Sequence, residues 1–212
     1  ELNKPYDLLK KVSNWRRFYA VINAASVFME KAPRTVELDR SYSEQNLKYD
    51  IAQVRALRAF AYFYMVRIWG DVPLVTYSYD NGTFPSMPRT DAQTVLSYAK
   101  AELLTAIKDL PYQYGTQTNL YYGSYGAQWQ GKLFNKLSAY SVLAHICAWQ
   151  GNYAEAETYS AFIIDHASEI NAKYTSIADL TSETGLFYSN ASVKGSRILG
   201  FNFAHNDNEA TQ

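Results

Sequence analysis

Residues Ala56–Thr76, ALRAFAYFYMVRIWGDVPLVT, decide the fold. An apolar, aromatic-rich run reaches Gly70 and leaves through Asp71-Val72-Pro73-Leu74. Glycine can take the left-handed conformation that caps a helix C-terminus. Pro73 cannot continue a helix, and it drives Val72 into an extended conformation. The pattern predicts a long helix with a sharp exit into extended chain. Within it, Ala52, Ala56, Ala59, Phe63 and Val66 form one apolar stripe, and Leu57, Phe60 and Tyr64 form a second. A helix apolar on more than one side packs between neighbours, and small alanines allow close approach. The start is placed near Ser41 to Glu44, which has capping-box spacing.

Working outward, a preceding helix is expected over about Asp7 to Lys31. Leu8, Val12, Trp15, Tyr19, Ile22, Ser26 and Met29 make one mostly apolar stripe, and Pro33 ends it. A third helix opens at Arg89-Thr90, where Thr90 and Gln93 make another capping box. It carries Val95, Ala99, Leu103, Ala106 and Leu110 and closes at Pro111. A fourth runs from about Phe134 to Gln150, with Leu133, Leu137, Tyr140, Ala144 and Cys147 in register, and Gly151 stops it. A fifth starts at Tyr153 or Ala154 and carries Ala156, Tyr159, Ile163 and Ala167. The join Ala148-Trp149-Gln150-Gly151-Asn152-Tyr153-Ala154-Glu155-Ala156 resembles the turn of a tetratricopeptide repeat, in which tyrosine and alanine pack two antiparallel helices. Alternation of Leu199, Phe201 and Phe203 within Arg197 to His205 predicts a short strand, paired near Val75 or outside the sequence. The expected class is all-α, with tetratricopeptide-like helical pairs, long loops and at most a short strand pair.

Lysine plus arginine number 20, as do aspartate plus glutamate. This balance gives no electrostatic footprint for nucleic acid or an anionic membrane. Cys147 is the single cysteine, so no intramolecular disulfide forms; it lies on the apolar stripe as a core residue. No apolar run reaches the length of a membrane span. His145, His166 and His205 have no ligand spacing, and no metal or cofactor is expected. No nucleophile elbow, phosphate loop or His-Glu-x-x-His is present, so no catalytic residue is assigned and the chain is not read as an enzyme. Asp91, Glu102 and Asp109 are read as surface charges opposing lysines, and Glu155 and Glu157 as a solvated helix face. The sequons at Asn81 and Asn190 carry little weight.

Tyrosine is the outlier, at 19 copies. It combines a flat apolar face with a polar tip, which suits both helix packing and wet binding surfaces. The long connection from Tyr112 to Gln130 concentrates aromatic rings among Gly, Gln, Asn, Ser and Thr. Such a mixture fits a carbohydrate platform, with rings stacking on sugar faces and polar groups bonding to sugar hydroxyls. The candidate ligand-binding residues are Tyr121, Tyr122, Tyr125 and Trp129, with Tyr77 and Tyr79 as a second group. The bland alternative is that these rings pack back onto the helices.

The motifs together resemble the SusD/RagB family of surface nutrient-binding lipoproteins. They are Leu57-Arg58-Ala59, Tyr62-Phe63, Gly70-Asp71-Val72-Pro73-Leu74, the Arg89-Thr90 entry, the Leu110-Pro111 end, the Lys136-centred helix and the pair around Gly151. Trp15, Tyr19 and Ile22 match the family's first helix, with Ser26 where an asparagine is usual. The resemblance implies one SusD-like helical domain over 1–212, with the export and lipidation region and the C-terminal part outside it. It also implies oligosaccharide or other nutrient binding at the extracellular face of the bacterial outer membrane, and delivery to a SusC-like TonB-dependent transporter. The membrane would be reached only through a lipid anchor absent from this sequence. The alternative is a helical-repeat scaffold that binds protein and no sugar.

Overall fold

The computed structural model describes residues 14–80, 84–116, 120–124, 129, 131–172, 177 and 198–199. These form α1 Arg16–Leu38, α2 Glu44–Trp69, α3 Ala92–Ala106, α4 Lys136–Trp149 and α5 Tyr153–Asp165, then a 3-10 turn Ala167–Ile170. Two isolated antiparallel bridges join Val72 with Thr90 and Tyr121 with Ser124. The class is all-α, as expected. The helices pack mainly on their neighbours in sequence, α2 between α1 and α3 and α4 against α5. The proposed strand at Arg197 to His205 falls outside the described residues apart from Ile198 and Leu199.

The core follows the apolar stripes. Ala52, Ala56, Ala59, Phe63 and Val66 of α2 are buried together with Val95, Leu96, Ala99, Leu103 and Ala106 of α3. Each fully buried leucine or valine contributes about 2 kcal/mol relative to exposure. At the α4–α5 turn, Gly151 has φ +80 and carries the chain back antiparallel. The tyrosine expected to pack that turn does not: Tyr153 is 73 % exposed. Tyr140 instead stacks on Phe162 and contacts Tyr159, so the pairing is made further along both helices.

Several boundaries differ from expectation. Pro33 lies inside α1, which continues to Leu38. Its ring is on the exposed side, while the adjacent Ala32 is buried, so packing offsets the lost backbone bond. The part of the expected first helix before Asn14 lies outside the described residues. Ser43, not Ser41, caps α2, accepting the Asn46 N–H at 3.1 Å. Ser41 turns to Asp39, to which its N–H and hydroxyl both donate. Asp91, not Thr90, caps α3, accepting the Thr94 N–H at 2.9 Å, because the Thr90 backbone is taken by its bridge to Val72.

The Gly-Asp-Val-Pro-Leu exit is held at every step. Gly70 has φ +69 with ψ −121, a glycine conformation outside the expected left-handed helical well, and donates its N–H to the Val66 carbonyl. The Asp71 carboxylate accepts the Ala92 N–H at 2.9 Å, satisfying a free donor at the α3 N-terminus. Val72 exchanges two backbone bonds with Thr90. The Pro73 carbonyl accepts the Tyr19 hydroxyl at 2.7 Å. The fully buried Tyr62 hydroxyl donates to the Val75 carbonyl and accepts the Val75 N–H.

Glu102 is not a surface charge. It is 8 % exposed, and Arg58 is 5 % exposed. Arg58 Nε donates to Glu102 Oε2 at 3.1 Å, its Nη2 bonds the same oxygen, and Arg55 donates to Oε1 at 2.7 Å. The remaining Arg58 nitrogen donates to Ser26 Oγ at 2.9 Å and reaches the Thr76 carbonyl at 3.4 Å. One guanidinium thereby ties α1, α2, α3 and the exit segment.

Removing Arg58 leaves the buried Glu102 carboxylate with Arg55 on one oxygen and no cation on the other. Arg58→Met is expected to destabilise the fold by about 3 kcal/mol, read as a lower denaturant midpoint. An unchanged midpoint would show that the pair is solvated. Gly70→Ala meets no steric obstacle, since nothing lies within 4 Å of the added carbon. Its cost is therefore backbone strain alone, about 2 kcal/mol by the same measurement.

Candidate functional site: aromatic faces beside α1

The first aromatic group is built on α2. Tyr49, Asp50 and Gln53 project from its first half toward the 112–134 connection. Gln53 donates to both the Tyr114 hydroxyl and the Phe134 carbonyl, and accepts the Phe134 N–H at 2.8 Å. Tyr49 meets Tyr114 edge-on at 5.6 Å and Tyr121 at 6.2 Å. Tyr121 in turn meets Trp129 edge-on at 5.2 Å and Tyr122 at 4.6 Å. Tyr122 is stacked against Tyr42 at 6.2 Å.

Asp50 collects the hydroxyls of this group. Its Oδ1 accepts from Tyr121, and its Oδ2 accepts from Tyr42 at 2.8 Å and from Tyr122. Tyr122 and Gly123 both have positive φ, +49 and +69, inside a turn closed by Tyr121 and Ser124. Two consecutive positive values are the signature of a type I′ turn. For a tyrosine that conformation costs about 1 kcal/mol, so the surrounding contacts must hold it.

The candidate rings fall into two roles. Tyr121 is 6 % exposed, and its ring backs the cluster; Trp129 is half-buried beside it. Tyr122 is 53 % exposed and displays its ring. Tyr125 lies outside the described residues. Of the remaining loop tyrosines, Tyr114 is buried, and Tyr112 stacks on His166 under the Lys136 ammonium, both facing the scaffold.

The second group gathers Tyr77, Tyr79 and Phe84. Tyr79 donates to the Tyr77 hydroxyl at 2.7 Å, and its ring lies 4.6 Å from Phe84, which meets Tyr19 of α1. Residues 78–80 are strapped along α1. Asn23 bonds both backbone groups of Tyr79, Glu30 accepts from Ser78, and Lys31 pairs with Asp80 at 2.5 Å. Tyr77 and Phe84 remain exposed. Beside this strap, α1 forms one wall of a mostly apolar groove of about 610 Å³, from Ala24, Val27, Phe28 and Lys31 to Thr35; Tyr42 and Tyr122 form the other.

Sequence reasoning missed Asp50, Tyr42, Phe84 and the α1 wall. One signal was available: Asn46, Asp50 and Gln53 place three polar side chains at helical spacing on a strongly apolar helix. Elsewhere, Glu155 is not merely solvated. It pairs with Lys100 at 2.5 Å, and that ammonium holds its carboxyl below the usual range. Burial pushes the Cys147 thiol up. Among the described residues no cluster of His, Cys, Asp or Glu is placed to hold a metal ion, and no helix is long and apolar enough to cross a membrane.

No family model matches the chain. Among curated proteins, it is 31 % identical over 147 residues to SusD-like protein P38 of Formosa agariphila, covering 68 % of this chain and 24 % of that one. The chain is a member of the SusD-like family. A SusD-like protein of Bacteroides fragilis superposes with TM-score 0.63 at 19 % identity, over 82 % of this chain and 29 % of that one. A laminarin-binding SusD-like protein gives 0.57 at 25 %, over 77 % and 31 %. This SusD-like chain thus spans about a quarter of the length of the curated relative.

Burial raises the tyrosine hydroxyls of this SusD-like chain, Tyr121 and Tyr42 most, then Tyr19, Tyr62 and Tyr114, and pushes Tyr122 up to about 12 with help from its hydrogen bond to Asp50. An unfolded tyrosine titrates near 10. Above about pH 10 the unfolded chain therefore releases protons that the folded chain keeps, and stability falls as pH rises toward the raised values. Tyrosinate absorbance and circular dichroism followed together are expected to show the buried rings ionising only as helicity is lost. Full ionisation near pH 10 with helicity intact would contradict this.

Proposed function

We propose that this chain captures an oligosaccharide, without catalysis, on the aromatic faces that flank α1. Tyr122, Tyr77 and Tyr79 would stack on the sugar, with Tyr121 and Trp129 as supports; Tyr125 joins the set on sequence alone. The observation that carries this is Lys31. It lines the groove with Tyr42 and Tyr122, and it also pairs with Asp80 beside Tyr79. The two ring groups therefore border one continuous strip of α1. Such a strip offers ring faces, hydroxyls and little net charge, which suits a neutral, hydroxyl-rich ligand. A structural neighbour that binds laminarin supports the ligand class. Family membership supports placement on the outer membrane's extracellular face through a lipid anchor, and transfer to a SusC-like TonB-dependent transporter. The serial packing of the helices supports one helical domain.

The groove itself favours a second reading. Its apolar lining by Val27, Phe28 and Ala32 also fits a helix from a protein partner, as in a repeat scaffold. Calorimetry of the full-length protein against a glycan panel separates the two. Binding is expected to at least one glycan, weakened about fivefold by Tyr122→Ala and by Tyr77→Ala, the loss of about one good ring contact each. Absence of binding across the panel would favour the scaffold.

A further inference from the structure

Asp50 is a single carboxylate, 8 % exposed, that accepts hydrogen bonds from three tyrosines in two separate segments. Tyr42 comes from the link between α1 and α2, and Tyr121 and Tyr122 come from a turn more than 70 residues further on. Charged acceptors make stronger bonds than neutral ones, and few oxygens could hold three hydroxyls at once. The turn they hold is strained. Tyr122 sits at φ +49, a conformation tyrosine avoids, while its ring is half in solvent with Tyr42 as its stacking partner. Ring contacts with Tyr121 and Tyr42 and the backbone bonds of the turn favour that state, but they leave the exposed ring free to tilt. Its hydroxyl, tied to Asp50, fixes it.

We infer that Asp50 is the positioning residue of the ligand face: its carboxylate latches the Tyr121–Tyr122 turn to α2 and fixes the Tyr122 ring against Tyr42 as the groove's outer wall. The latch is a property of the free protein; its consequence for affinity rests on the proposed glycan binding. A ring already fixed in its bound orientation loses less freedom when ligand arrives, so the latch raises affinity by preorganisation. Asp50 itself need not touch the sugar.

Asp50→Asn keeps the shape but offers one good acceptor oxygen where two served three hydroxyls. Tyr122→Phe keeps the ring and removes only its hydroxyl, at a surface position where folding is not at risk. In the full-length protein, hydrogen exchange of the Tyr121 and Ser124 amides, whose mutual bonds close the turn, is expected to accelerate on the order of tenfold in either variant. The double variant should add little to Asp50→Asn alone, because Tyr122→Phe removes one of the bonds that Asp50→Asn already weakens. Exchange unchanged in Tyr122→Phe overturns the latch, and that variant carries the test if Asp50→Asn fails to fold.

Glycan affinity is the second readout. Equal weakening in Asp50→Asn and Tyr122→Phe, with thermal stability retained in Tyr122→Phe, supports positioning. If Tyr122→Ala weakens binding while Asp50→Asn and Tyr122→Phe do not, positioning is overturned and the ligand site stands. If no variant nor the parent binds any glycan, yet exchange accelerates as expected, the proposed function falls and the latch remains.

Discussion

The Arg58 guanidinium is where α1, α2, α3 and the exit segment meet. It is buried, and its donors go to Glu102 on α3, Ser26 on α1 and the Thr76 carbonyl of the exit segment. A buried charge tolerates few arrangements, since each lost partner leaves a desolvated group. Apolar packing alone would let helices rich in alanine slide against one another. The planar fork of arginine does not, because its bonds demand specific directions. Ser26 is short, yet its hydroxyl reaches the arginine because Ile22 and Ala25 beside it are packed tight in the core. The alanines around Arg58 serve the same end by bringing the helix axes close enough for the bonds to form.

The exit after α2 transmits that order outward. Tyr62, four residues beyond Arg58, clamps both backbone groups of Val75, and Asp71 caps α3. With residues 71–76 held from two sides, the chain is delivered to α1 in a fixed direction, and residues 78–80 are strapped along that helix. The display of Tyr77 and Tyr79 is thus a downstream consequence of how α2 ends. Changes in the Gly-Asp-Val-Pro-Leu segment act on the surface rings without touching them.

The aromatic loop divides into rings that support and rings that are shown. Tyr114, Tyr121 and Trp129 fill the space over α2, and Tyr122 is left outside on a strained turn. Composition alone could not separate these roles, because a tyrosine has the same apolar face and polar tip wherever it stands. The separation comes from the polar groups beneath the loop: Gln53 donates to the Tyr114 hydroxyl, which donates to the Phe134 carbonyl, while the Asp50 carboxylate accepts from Tyr121 and Tyr122.

Much was legible in the order of residues. Helical spacing marked α2, α3, α4 and α5, Gly70 and Gly151 marked the ends of α2 and α4, and the Gly-Asp-Val-Pro-Leu segment marked the sharp exit, because these are local properties of backbone and side-chain periodicity; α3 stops at Ala106, short of the end expected at Pro111. The caps slipped by one or two residues where another bond competed, as at Ser43 and Asp91. Pro33 passed inside α1 because packing beside it outweighed a local preference. What only the tertiary structure decided is which polar side chains face inward. Glu102 and Asp50 look like any surface acid in sequence, and their burial depends on partners 44 and more than 70 residues away. A carboxylate becomes structural only when the folded chain brings it enough donors to replace water, and no local pattern encodes that meeting.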